Sequence, residues 1–92
     1  MSMVVRFSPE GLTTDQYEEV QRRLAEAGHW PPDGLEYHVC FGENGQLSVS
    51  EIWSSNEQFD AFGQHLLPIL NDVGINLAGQ PERLEIYNQE RF

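Results

Sequence analysis

Apolar and polar side chains alternate along this chain with two different periods, and the switches between them mark out six elements. Residues 3–7, Met3-Val4-Val5-Arg6-Phe7, are a short run of strand formers closed by Ser8-Pro9-Glu10-Gly11. From Thr13 the period becomes helical: Tyr17, Val20, Leu24 and Ala27 form one stripe, and Glu18, Glu19, Gln21, Arg22 and Arg23 mostly fill the other side. Thr13 with Gln16 has the form of a capping box, and Gly28 is a C-terminal stop. Trp30-Pro31-Pro32-Asp33-Gly34 reads as a loop, because consecutive prolines stop both a helix and a ladder. Residues 35–41 then alternate, with Leu35, Tyr37, Val39 and Phe41 on one side and Glu36, His38 and Cys40 on the other.

Asn44-Gly45 supplies a tight hairpin turn. Residues 47–53 are the return strand, Leu47, Val49, Glu51 and Trp53 opposing Ser48, Ser50 and Ile52. Ser55 and Gln58 open a second helix with the stripe Phe59, Phe62, Leu66, Ile69 and Val73, ended by Gly74. Pro68 inside that stripe removes one backbone bond and is expected to bend the helix or split off its last turns. After a loop over 75–81, residues 83–88 read as a last strand, Leu84 and Ile86 against Glu85 and Tyr87. The order is β-α-β twice, with a hairpin between. It predicts one α+β domain over residues 1–92, a ferredoxin-like βαββαβ sandwich: a four-stranded antiparallel sheet with two helices on one face.

Two helices shelter one face of such a sheet, and the other should be mainly polar. Here the weaker set of strand positions still holds Val4, Cys40, Ile52 and Tyr87. Leaving four such side chains in water forgoes on the order of 5–10 kcal/mol, against a net domain stability of about 5–15 kcal/mol. A symmetric second copy is the simplest cover, so a homodimer is expected. Periodicity does not decide which side of each strand meets the helices. If the strongly apolar set does, His38 falls at the dimer seam; if the mixed set does, His38 lines a pocket beneath them.

Composition narrows the partners. The net charge is −10 and the chain contains no lysine, which opposes binding to nucleic acid or to an anionic membrane surface. Cys40 is the only cysteine, so no disulfide forms within one chain, and no zinc-type Cys/His spacing exists. No apolar stretch is long enough to span a bilayer and no secretion signal is visible at the N-terminus, so a cytoplasmic location is the expectation. Gly42 and Gly45 belong to the hairpin rather than to a phosphate-binding loop, and no dinucleotide fingerprint exists; neither cofactor nor metal is expected.

His38 is the leading candidate for chemistry, since an imidazole can take a proton from a phenol-like molecule near neutral pH. Trp53 could stack on a flat ligand, His65 could reach a pocket mouth, and Tyr17 or Tyr87 could donate a hydrogen bond to a ligand oxygen. Each also has a plain structural use: a bonded core histidine, a core anchor, a rim histidine, a space-filling ring. Glu51 lies between Val49 and Trp53 on its strand side and must be paired, protonated or wet, with Arg6 or Arg83 as possible partners.

Gly34-Leu35-Glu36-Tyr37-His38-Val39 and, more specifically, Glu51-Ile52-Trp53-Ser54-Ser55-Asn56-Glu57-Gln58-Phe59-Asp60-Ala61-Phe62 resemble the dimeric α/β-barrel superfamily, within it the proteins related to antibiotic biosynthesis monooxygenases. Leu66-Leu67-Pro68-Ile69-Leu70 followed by Gly74 resembles a largely uncharacterised bacterial subgroup. The resemblance implies a dimer whose sheets form a barrel, with a small apolar pocket in each subunit between sheet and helices. Some relatives oxidise polycyclic aromatic molecules with oxygen and no added cofactor, others degrade haem, and others have no known activity. Trp53 fits the tryptophan of the haem-degrading proteins, but the first strand lacks their asparagine and His65 is not at the spacing of their histidine. The expectation is a cofactor-independent monooxygenase-like enzyme acting on an aromatic small molecule, with His38 as base and Trp53, His65, Tyr17, Phe59 and Phe62 around the ligand. The alternatives are a pocket that binds an apolar ligand without turning it over, and a purely structural dimerisation module.

Overall fold

A computed structural model describes residues 2–77 and 79–92; Met1, and Ala78 within the expected 75–81 loop, lie outside the described residues. The elements are β1 (Met3–Phe7), α1 (Thr14–Glu26), β2 (Leu35–Glu43), β3 (Gln46–Trp53), α2 (Asn56–Val73) and β4 (Glu82–Glu85). They form a four-stranded antiparallel sheet in the order β2-β3-β1-β4 with two helices, the ferredoxin-like arrangement. Both helix starts are capped as their sequences require. Thr13 and Gln16 satisfy each other's backbone N–H groups reciprocally, and the Ser55 hydroxyl accepts from Gln58 N. Gly74 ends α2 in the left-handed conformation, at φ 84°, with its N–H bonded to Leu70 and Asn71.

Alternate residues of β1 and β3 face the helices: Met3, Val5 and Phe7, and Leu47, Val49, Glu51 and Trp53, all buried. Val20 and Leu24 of α1 and Phe59, Phe62 and Leu70 of α2 close on them. Trp53, Leu24 and Val5 are the largest side chains wholly withdrawn from solvent.

Three expectations are corrected. The first concerns Pro68, which does not split off the last turns: α2 runs without a break from Asn56 to Val73. Pro68 is exposed, and so is Gln64, whose carbonyl it leaves unpaired; water can bond that carbonyl, while Phe62 and Leu70 on the opposite side hold both halves of the helix to the core. The second concerns the last strand, which stops at Glu85 rather than reaching Asn88. Its partner β1 begins at Met3, opposite Glu85, so the ladder ends there and Tyr87 is fully exposed.

The third is the most consequential. The alternation of β2 does not run straight through residues 35–41, because a bulge lies between Leu35 and Tyr37. Leu35 pairs with Trp53 but Tyr37 pairs with Ile52, so Glu36 is an extra residue against β3. Leu35 therefore packs toward the helices, while Tyr37, Val39 and Phe41 turn to the open face and His38 and Cys40 turn inward. Of the four residues expected on the uncovered face, Val4 and Ile52 are there, Cys40 is under the helices and Tyr87 lies beyond the sheet. Tyr37, Val39, Phe41 and Leu84 join Val4 and Ile52; Tyr37 is 53% exposed, Phe41 43% and Leu84 46%.

Candidate functional site

The register that follows the bulge sets His38 opposite Glu51, on the helix side of the sheet. The two side chains meet, His38 Nδ1 lying 2.7 Å from Glu51 Oε2. The other oxygen of the carboxylate, Oε1, accepts from Trp53 Nε1 at 2.9 Å. On the far side of the imidazole, Nε2 lies 2.6 Å from the Tyr17 hydroxyl, carried on the first turn of α1. Three elements thus hold one continuous chain, Tyr17–His38–Glu51–Trp53.

Its proton pattern follows from what each group can do. A carboxylate only accepts, so Nδ1 carries the hydrogen toward Glu51; in the neutral imidazole Nε2 is then bare and accepts the Tyr17 O–H. Glu51 is only 3% exposed, and a buried carboxylate is tolerated where donors satisfy it. Among the described residues no buried side-chain nitrogen or oxygen lacks a partner. Burial raises the Tyr17 phenol above its ordinary value, helped by nearby Cys40 and Glu51, with Gln21 working in the opposite sense. Burial also pushes the Cys40 thiol up.

Tyr17 and His38 open on a cavity of about 70 Å3 between sheet and helices, otherwise walled mainly by apolar side chains including Phe7, Leu24, Trp30, Phe62 and Leu66. A second, larger groove of about 380 Å3 lies outside it, lined by His29, Pro31, Pro32, Asp33, Gln58 and His65. Phe62 lines both. Trp30 stands between them. Its ring meets His38 edge-on at 5.0 Å between centroids and lies 6.2 Å from Phe62, while its neighbours His29 and Pro31 face the groove. The loop that carries it is pinned to the sheet by Ser54 N donating to Gly34 O at 2.8 Å.

The residues singled out from the sequence are thus divided. Tyr17, His38 and Phe62 line the cavity. Trp53 and Phe59 are core residues behind it, their rings 5.4 Å apart, and Trp53 reaches the site through its hydrogen bond to Glu51 rather than through a ring face. His65 lies in the outer groove, stacked on His29 at 3.8 Å. Glu51 pairs with neither arginine considered for it. Arg83 bonds Asp60 and Asn56 and lies over Phe59, and Arg6 is on the open face opposite Ser50. The sequence reading missed the Glu51–His38 pair, which depends on the bulge, and Trp30; a lone large aromatic in a Pro- and Gly-rich loop was the available signal. Among the described residues, no group of three or more His, Cys, Asp or Glu side chains is placed to hold a metal.

The fold defines a class: this chain has a ferredoxin-like α+β architecture, shared with the solved structures it is similar to. No family model and no curated protein matches the sequence. Among solved structures it is similar to SnoaB, a cofactor-independent oxygenase from Streptomyces nogalater, at 20% identity and a TM-score of 0.59, covering 97% of this chain and 93% of that one. A variant of SnoaB is similar at 18% identity and a TM-score of 0.60, covering 96% and 93%. Rv0793 from Mycobacterium tuberculosis is similar at 18% identity and a TM-score of 0.51, covering 98% and 95%.

Proposed function

We propose that this protein is a homodimeric, cofactor-independent oxygenase that withdraws a proton from a phenol-like aromatic molecule, with His38 as the base. The observation that carries this reading is the Tyr17–His38–Glu51 chain opening on an apolar cavity. Such a cavity excludes water and favours an uncharged ring, and the chain gives the ring's acidic proton a destination. Glu51 holds the imidazole in the accepting tautomer and stabilises the imidazolium that forms. The resulting anion is electron-rich enough to reduce oxygen without a cofactor. When a methylene between two aromatic rings becomes a carbonyl it loses four electrons; O2 takes all four, one oxygen atom entering the product and the other leaving as water.

A cavity of about 70 Å3 is smaller than the roughly 150 Å3 that holds one benzene. A ring-bearing ligand therefore displaces Trp30, which merges the cavity with the outer groove into a site of the size small molecules occupy. The uncovered sheet face, with Val4, Tyr37, Val39, Phe41, Ile52 and Leu84, supports the dimer.

Oxygen uptake with a dihydroxyanthrone tests the activity. The wild type consumes oxygen, and His38→Ala slows it by about 10²–10⁴-fold. Binding of the same phenol without oxygen uptake overturns the oxygenase and leaves a ligand-binding module; unchanged turnover in His38→Ala overturns the base.

A further inference from the structure

Both nitrogens of the His38 ring are already engaged, Nδ1 by Glu51 at 2.7 Å and Nε2 by the Tyr17 hydroxyl at 2.6 Å, so the imidazole offers no bare lone pair to the cavity. For His38 to touch a ligand directly, the Tyr17 bond must break, and the half-buried hydroxyl then loses the acceptor for its proton. Passing a proton along the existing bond needs no such rearrangement. We propose that the Tyr17 hydroxyl is the group that meets the ligand, and that His38 receives the ligand's proton through it. The inference rests on the reading of His38 as the proton's destination and deepens it, making Tyr17 a catalytic residue and His38 and Glu51 the groups that drive it.

The step balances. The ligand O–H donates to the Tyr17 oxygen. As that proton moves across, the proton already on Tyr17 moves to His38 Nε2. Tyr17 ends as it began, the ligand is left as a phenolate or enolate, and the imidazolium is held by Glu51 through Nδ1–H. The total charge of ligand, Tyr17, His38 and Glu51 is the same before and after. The relay requires Tyr17 to carry its proton at neutral pH, and burial beside Cys40 and Glu51 favours that form. It also restricts the ligand to molecules with an acidic hydroxyl, because an oxygen-bound proton is the kind that exchanges readily along hydrogen bonds.

The probe is para-nitrophenol, whose phenolate absorbs in the visible, in buffer below the probe's own pKa so that the free probe is colourless. Wild-type protein at saturation shows the phenolate band; Tyr17→Phe and His38→Gln bind the probe and lose the band. If Tyr17→Phe does not fold, as judged by thermal unfolding, Tyr17→Met carries the same expectation. A full band in the Tyr17 variant means that His38 takes the proton directly and overturns the relay, as does the absence of a band in the wild type. The readout does not depend on turnover. A band that needs Tyr17, without oxygen uptake on dihydroxyanthrone, upholds the relay and overturns the oxygenase. Oxygen uptake lost in His38→Ala, with a band that survives in Tyr17→Phe, does the reverse.

Discussion

Glu51 shows how much of the site depends on one side chain. Its two oxygens serve two partners, Trp53 on one and His38 on the other, so the tryptophan that anchors the core also fixes the carboxylate that orients the imidazole. Trp53→Phe removes the donor, leaving Glu51 short of one bond, and opens a void where the second ring of the indole stood; urea unfolding is expected to show a loss of about 2–4 kcal/mol. Tyr17 gives a pH signature. Its phenol holds the proton more tightly in the folded protein than in the unfolded chain. Its contribution is therefore complete below the ordinary tyrosine value of about 10 and is lost as pH rises through the higher folded value. Thermal melts across the alkaline range should lose this component in Tyr17→Phe, and an alkaline profile identical to that of the wild type would contradict the shift. Cys40, half-buried and with its thiol raised by burial, is expected to react with a disulfide reagent slowly in the native protein and rapidly in denaturant.

At the level of elements, the helix caps, the hairpin and the succession of elements along the chain were legible because each has a local chemical cause: Thr13 with Gln16, Ser55 ahead of Gln58, Asn44-Gly45, Gly74. What was not legible depends on pairing. Alternation in residues 35–41 gave no sign that Glu36 would be left over, because a bulge exists only relative to the neighbouring strand. The early end of β4 likewise reflects where β1 starts, and the unbroken α2 reflects which side of the helix Pro68 occupies. His38 was found as a residue type; its partners were not, since two come from a register and an adjacent helix. The loop between α1 and β2 shows the same dependence. Gly34 has φ 90°, and a Cβ there would press into the Gln58 side chain of α2. Gly34→Ala is expected to cost about 1–3 kcal/mol, read by urea unfolding, and to loosen the Trp30 loop, read as greater acrylamide quenching. Because Trp53 is withdrawn from solvent, added quenching reports Trp30.

For the whole molecule, charge and the uncovered face pull in opposite directions. Among the described residues three of the five arginines are tied into ion pairs, Arg22 and Arg23 holding the Glu19 carboxyl at about 2, and the net charge of the chain is −10. Two such subunits would repel each other, whereas pairing through the apolar face would remove it from water. Sedimentation at micromolar concentration is expected to show a dimer that tightens as salt is added. Ile52→Glu, which sets a carboxylate beside Val4 and Tyr37 on the open face, should give monomers at every salt concentration. A monomeric wild type would remove the case for pairing through the sheet. The bulge at Glu36 reaches furthest. It behaves as a parity bit for everything downstream in its strand: with Glu36 set out of the ladder, an imidazole and a thiol are enclosed and two aromatic rings look outward; with Glu36 paired in a regular ladder from Leu35, the assignment inverts. The same residues in a ladder without the bulge would bury Tyr37 and Phe41, strand His38 among solvent-facing groups, and keep much the same outline without the imidazole inside. In this strand, one residue left out of the ladder, rather than the identity of those that follow it, decides whether its proton-moving side chain lies inside or outside.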